Sequence, residues 1–211
     1  MLKYVGFFLM LVDHITMIFF PDFLLGRIIG RLCAPIFFYE LAIGYFRTKD
    51  FNKYLERMIM WAVISQVIIW LLVDFHLVPR LNILFTFALC LISLHFYHKY
   101  PQKFTRLAIL FFSLWCAWFF PFDYGWYAVA GVFLFHFYQP TTEWKMLWIT
   151  TTLLTVFDSS IGILEMFAVF APILIFTVKD LDVKLPRLNF YAFYAGHWVI
   201  LGLLANAITL P

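Results

Sequence analysis

Charged side chains are scarce in this 211-residue chain: Asp, Glu, Lys and Arg make up 13%, against about a quarter in an average soluble domain, and 64% of residues are hydrophobic. An apolar excess of that size cannot be enclosed in one soluble core. It excludes an ordinary water-soluble domain and leaves lipid as the main solvent. Cysteine is scarce too. Cys33, Cys90 and Cys116 fall one to an apolar segment, with neither metal-ligand spacing nor a disulfide framework, so they read as packed thiols and no metal is expected. A net charge of +3 gives no ground for nucleic-acid binding. Linkers, low-complexity tracts and internal repeats are missing. So are the soluble catalytic signatures G-x-S-x-G, H-E-x-x-H, the P-loop and G-x-G-x-x-G.

What is present is a series of apolar stretches near the length of about 20 residues that a helix needs to cross a bilayer. Nine are read, at 4–20, 24–46, 58–75, 81–97, 104–120, 122–138, 145–157, 160–178 and 188–209. They predict an all-α, polytopic bundle forming one integral-membrane domain over 1–211. Lys3 and the apolar run behind it resemble a signal peptide, but Asp13-His14 interrupts the run and no A-x-A site follows, so a retained first helix is expected. Twelve of the fifteen Lys and Arg, from Lys3 to Arg187, fall at one set of helix ends, whereas Asp22, Asp74, Arg80, Asp123 and Asp158 fall at the other. The positive-inside rule then makes the N-terminus cytoplasmic and, after nine crossings, puts the C-terminus outside. His76 is expected in an outer loop. Trp61, Trp126, Tyr127, Trp144 and Trp148 lie near predicted ends, as an interfacial belt would.

Charges within such helices are costly and mark functional sites or the pairing that supports them. Asp13 and His14 fall near the midplane of the first helix. Arg27 falls near the outer rim of the second, with Arg31 a turn deeper on the same face. Gln66, Asn82, Thr86, Asp123, Tyr124 and His197 reach similar depths, which points to a hydrated cavity. Neighbouring residues on a helix point about 100° apart, so Asp13 is expected to pair with Arg31 or another basic group. That leaves His14 turned to the cavity as a proton carrier. His197 is the second candidate, as its acid/base partner or as a donor to substrate. The alternatives are a purely structural ion pair at Asp13–Arg31 and helix–helix hydrogen bonds at Asn82 and Thr86. Glu40 and Glu165 have no clear place beyond that of cavity residues or buried carboxyls.

The stretch LMLVDHI at 9–15 resembles the opening of TraX-type membrane proteins. So do RIIGRLCAPIFF at 27–38, GYFRT at 44–48, YLER at 54–57, Ser65-Gln66, NILFT at 82–86, Asp123-Tyr124-Gly125 and FYAFYAGH at 190–197, in that order. Thr16 stands where the pattern has Gly, and Val67 and the Ala195-Gly196 pair where it has Pro. The resemblance implies an acyltransferase of the bacterial cytoplasmic membrane, similar to the broader transmembrane acyltransferases, with acetyl-CoA as donor. The acceptor would be an amine or hydroxyl on a pilin-like peptide, a lipid or a glycan.

On that basis His14 is assigned as base, oriented by a neighbouring carboxylate or hydroxyl, with Asp13 supporting the site through its ion pair, and Arg31, Asn82 or His197 as oxyanion donor. Arg27, Gln66, Asn82, Thr86, Asp123, Tyr124 and Tyr194 would meet the substrate, and Arg47, Lys49 and Arg57 the phosphates of the coenzyme. Direct transfer and an acyl-histidine intermediate both stay open. The competing readings are a transporter or channel that relays charge at the midplane, and a non-catalytic membrane assembly protein.

Overall fold

The structure, a computed structural model, describes residues 1–73, 80–158, 161–181 and 189–209. Asp74, His76, Lys184 and Arg187 lie outside the described residues. Among the described residues are ten α-helices and two 3-10 helices, with a single isolated bridge, Leu81 to Phe122, in place of any strand.

Helix α1 is Leu2–Phe19. The second span is broken into α2, Leu24–Gly30, and α3, Cys33–Arg47. Pro35 explains the break. It has no N–H to give to the carbonyl of Arg31, and its ring crowds that carbonyl, so the helix yields at Arg31-Leu32. Helix α4, Phe51–Leu72, begins well before residue 58 because Asp50 caps it, accepting from the Lys53 N–H at 3.0 Å. Asn82 caps α5, Ile83–Lys99, in the same way through Leu84 at 3.1 Å. Then come α6, Lys103–Phe119, and α7, Gly125–His136. Helix α8, Thr142–Leu154, runs on into the 3-10 turn Thr155–Phe157. The 3-10 helix Ile163–Phe170 continues as α9, Ala171–Val178, and α10 is Phe190–Thr209.

Among the described residues these elements group into nine helical segments. Four are long and apolar enough to cross a membrane on length and composition alone: Leu2–Phe19, Leu24–Arg47, Phe51–Leu72 and Phe190–Ile208. The chain is a multi-pass membrane protein. Phe104, Phe111, Trp118 and Ile173 turn outward, as lipid-facing side chains do.

The bundle has two distinct ends. Lys3, Arg47 and Arg57 meet at one, the basic end. At the other, Leu81 is held by the α6–α7 connection, its N–H donating to the Pro121 carbonyl and its carbonyl accepting from the Asp123 N–H, both at 2.9 Å, and Arg80 donates to the Phe122 carbonyl at 3.4 Å. The aromatic belt needs correction. Tyr127, Trp144 and Trp148 are buried, and the two indoles donate inward to the carbonyls of Leu134 and Val169 at 2.7 and 3.2 Å. An indole N–H that finds a backbone acceptor between packed helices has no need of the headgroup layer. The three cysteines are free thiols, Cys33 and Cys90 buried.

Candidate functional site

The site begins where α2 presses on α1. Gly26 and Gly30 are four apart, and both lie directly on α1. A Cβ at Gly30 would sit 2.6 Å from Asp13 Oδ1, and one at Gly26 would overlap the Thr16 hydroxyl. Small residues at this spacing let two helix backbones close up. The approach brings Arg27 and Arg31, one residue further along, onto the same carboxylate. Arg27 Nη1 lies 2.9 Å from Asp13 Oδ1 and donates to the Asp13 carbonyl at 3.1 Å. Arg31 Nη2 pairs with Asp13 Oδ2.

Arg31 also gathers two distant elements. Its Nη1 donates to the Tyr124 hydroxyl at 3.3 Å and lies 3.6 Å from Glu165 Oε2. Tyr124 precedes α7 in a left-handed conformation, φ 58°, which is unusual for a residue with a side chain. Glu165 is fully buried, and its oxygens have no hydrogen-bond donor among the described residues. Arg31 Nε is likewise buried and without an acceptor among them.

The next residue of α1 points the other way, onto α10. His14 Nδ1 meets His197 Nε2 at 2.8 Å, and the Trp198 ring lies 4.4 Å from the His14 ring. Phe193, Tyr194, His197 and Trp198 share a face of α10. The rings of Phe193 and Tyr194 stand 6.2 and 5.3 Å from that of His197.

At the basic end a cavity of about 330 Å³ is lined by Lys3, Glu40, Arg47, Tyr54, Arg57 and Tyr191 among others. Lys3 pairs with Glu40 at 3.6 Å, and the Arg57 guanidinium lies 5.9 Å from the centres of both tyrosine rings. Phe37 and Phe190 also line it, and both pack on Phe7, which stacks on Phe193 at 4.3 Å. A contiguous set of rings therefore joins the cavity wall to His197.

The family model described as TraX protein matches residues 1–205. The chain belongs to the TraX family. It is also 28% identical over 212 residues to the protein of Dichelobacter nodosus named "Probable fimbrial assembly protein FimC, serogroup H1", covering 92% of this chain and 83% of that one. No solved structure matches it.

In this TraX-family chain the residues singled out from the sequence divide into four groups: a charge cluster, a ring cluster, a clasp and the basic cavity. Asp13, Arg31 and Tyr124 meet in the charge cluster, and His14, His197 and Tyr194 in the ring cluster. Arg27, expected near the outer rim on the face of Arg31, joins the charge cluster as well, because the close α1–α2 approach brings it onto Asp13. His14 is not wholly free, since one ring nitrogen is engaged by His197. Gln66, Asn82 and Thr86 form a clasp instead of presenting free groups. Asn82 Nδ2 donates to the Ala62 carbonyl at 2.8 Å and to Gln66 Oε1 at 3.0 Å, and Gln66 donates to the Arg80 carbonyl at 3.3 Å. Thr86 donates to the Asp123 carbonyl at 2.7 Å, and the Asp123 carboxylate accepts from the Tyr124 N–H at 3.1 Å. The clasp ties α4, α5 and the α6–α7 connection, because unsatisfied polar groups are costly inside a membrane. Of the three expected coenzyme contacts, Arg47 and Arg57 line the basic cavity. Lys49 does not, and Lys3 stands there instead.

Sequence reasoning left Glu165 unplaced and passed over Trp198 and the glycine pair. The signal for the pair was readable: G-R-I-I-G at 26–30 is a small-xxx-small motif. Glu165 gives no comparable signal, because its partner is far away in sequence.

Proposed function

We propose that this TraX-family chain is an acyltransferase that moves an acetyl group from acetyl-CoA to an amine or hydroxyl of a pilin-like acceptor at the bacterial cytoplasmic membrane. The observation that carries the reading is the half-buried His14. One of its nitrogens is tied to His197 and the other makes no hydrogen bond among the described residues, beside a buried Arg31 that still has a donor to give.

In the proposed step His14 takes the proton from the acceptor's amine or hydroxyl. The acceptor atom bonds to the acetyl carbonyl carbon, the carbon–sulfur bond breaks, and the proton passes from His14 to the departing thiolate. Of the three oxyanion donors considered, Asn82 and His197 already use their polar groups in the clasp and the ring pair. Arg31 Nε is the one with a donor left, and a buried donor without an acceptor costs about 1–3 kcal/mol until one arrives. The basic cavity is assigned to the coenzyme's phosphates, held by Lys3, Arg47 and Arg57, since guanidinium matches phosphate in charge and shape. By the positive-inside rule this end faces the cytoplasm, where acetyl-CoA is made. The relative's name, a fimbrial assembly protein, supports a pilin or fimbrial subunit over a lipid or glycan as acceptor.

The test uses the purified protein in nanodiscs with radiolabelled acetyl-CoA and pilin-like peptides, lipids or glycans. Transfer by the parent and its loss in His14→Ala are expected. Specific peptide binding with no transfer to any acceptor would make the chain a non-catalytic assembly protein instead.

A further inference from the structure

The hydrogen bonds of the ring pair assign each of its protons. His197 Nδ1 lies 3.3 Å from the Phe193 carbonyl, four residues back on α10. A carbonyl oxygen only accepts, so Nδ1 of His197 carries the hydrogen. In a neutral imidazole the other nitrogen is then the acceptor. That nitrogen, Nε2, faces His14 Nδ1 at 2.8 Å, so Nδ1 of His14 is the donor. His14 Nε2 is left with its lone pair exposed in the ring plane.

The geometry agrees with a hydrogen bond and not with ring stacking. The ring centres are 5.0 Å apart and the planes 11° from parallel. That separation matches the nitrogen–nitrogen distance with one ring radius added at each side, so the two nitrogens lie on the line between the centres. The contact is edge to edge, with the donor hydrogen aimed at the lone pair. Trp198, against both rings at 4.4 and 5.0 Å, leaves His14 little room to turn over and exchange Nδ1 for a carbon. Both rings are taken as neutral: among the described residues neither histidine has a carboxylate in an ion pair, and an unpaired charge at the nearly closed position of His197 is costly.

We infer that His197 is a positioning residue: it holds His14 as the Nδ1–H tautomer and so makes Nε2 the nitrogen that exchanges protons with substrate. The Phe193 carbonyl fixes His197, and His197 fixes His14. When Nε2 of His14 gains a proton, the Nδ1 hydrogen still points at His197, so the same bond supports the imidazolium. The consequence for rate rests on the acyl-transfer reading. The tautomer does not.

Two measurements keep these apart. The first is 15N solid-state NMR of histidine-labelled protein in nanodiscs, with His14 and His197 assigned by substitution. The hydrogen on Nδ1 of both rings is expected, and Nε2–H on His14 would overturn the inference whether or not the protein transfers acetyl groups. The second compares His197→Gln with His197→Leu. Gln keeps an acceptor near the place of Nε2, whereas Leu removes it and frees His14 to take the other tautomer. Acetyl transfer should fall roughly 100-fold or more in His197→Leu, within the range of general-base contributions. It should recover most of that loss in His197→Gln, with the acid limb of the pH–rate profile shifted in the Leu variant only. Equal activity and one pH profile across parent, Gln and Leu would sink the positioning role. If the parent shows no transfer while NMR finds Nδ1–H on His14, the acyltransferase reading fails and the tautomer assignment stands.

Discussion

Replacing Asp13 by Asn changes almost nothing in shape and removes the charge that two guanidiniums share. Arg27 Nη1 is 2.9 Å from this carboxylate, and Arg31, 8% exposed, is paired with its other oxygen. After the change, Glu165 at 3.6 Å from Arg31 is the remaining anion within ion-pair distance among the described residues, and Arg27 has none. Breaking a buried pair by removing one partner costs about 3–5 kcal/mol, because the other charge stays buried without compensation. For a chain of this length each kcal/mol moves the melting temperature by about 2–4 °C, so a fall of roughly 6–20 °C is expected. Equilibrium unfolding in mixed micelles, read by tryptophan fluorescence, measures it. Asp13→Asn/Arg27→Gln removes one of the stranded cations and should be less damaged than the two single changes added together, with an interaction energy of about 1–3 kcal/mol. A single variant within about 0.5 kcal/mol of the parent, the range of surface substitutions, would refute the reasoning. Strict additivity would show that Asp13 and Arg27 act separately.

Gly30→Ala puts a methyl group into the Asp13 side chain and should cost about 1–3 kcal/mol as overpacking, whereas Gly196→Ala, with open space around its Cβ, should be neutral or slightly stabilising. Equal melting temperatures for the two would mean that the α1–α2 approach is not tight. Asp50, at the exposed start of α4, is held below the usual carboxylate range chiefly by the Lys53 N–H and further by its ammonium. A lowered carboxylate stabilises the fold above its unfolded value and loses that contribution as pH falls through its folded one. Protection of the Lys53 amide from hydrogen exchange should therefore drop only at acidic pH, and Asp50→Asn should flatten the drop; an unchanged pH dependence would rule the cap out. If the basic cavity holds the coenzyme as proposed, Arg57→Gln should raise the KM for acetyl-CoA several-fold, whereas Lys49→Gln, outside the cavity lining, should not. The reverse order would move the donor site.

Length and hydropathy made the helical segments readable, four of them as candidate spans, because a bilayer imposes one scale on every crossing. The breaks inside them were harder. Pro35 marks the interruption at Arg31-Leu32 only once its carbonyl partner is counted four residues back, and the 3-10 stretch Ile163–Phe170 has no such marker. The Asp13–Arg31 pairing was legible because both charges lie at one depth. Depth gives no rotation about the helix axis, however. Depth alone therefore left Gln66 as a cavity residue and Asn82 and Thr86 as either cavity residues or helix–helix hydrogen bonds; their partners, Ala62, Arg80 and Asp123, show a clasp. The buried Tyr127, Trp144 and Trp148 were mistaken for a belt for the same reason: position along the span does not say which way a ring turns.

The step from Asp13 to His14 is what joins the two clusters. Adjacent residues on a helix face about 100° apart, so one turn of α1 serves α2 on one side and α10 on the other. Asp13 pairs across to α2 and His14 across to α10, so neither cluster can shift without moving the same helical turn. Arg31 extends the tie to Tyr124 before α7 and to Glu165 in the 3-10 segment. His14, the proton carrier of the proposed reaction, thus sits on a backbone fixed from three directions, while its own ring is oriented from a fourth. That arrangement gives the charges within a membrane span a use that fits the proposed role: the ion pairs hold still the turn of α1 that carries His14.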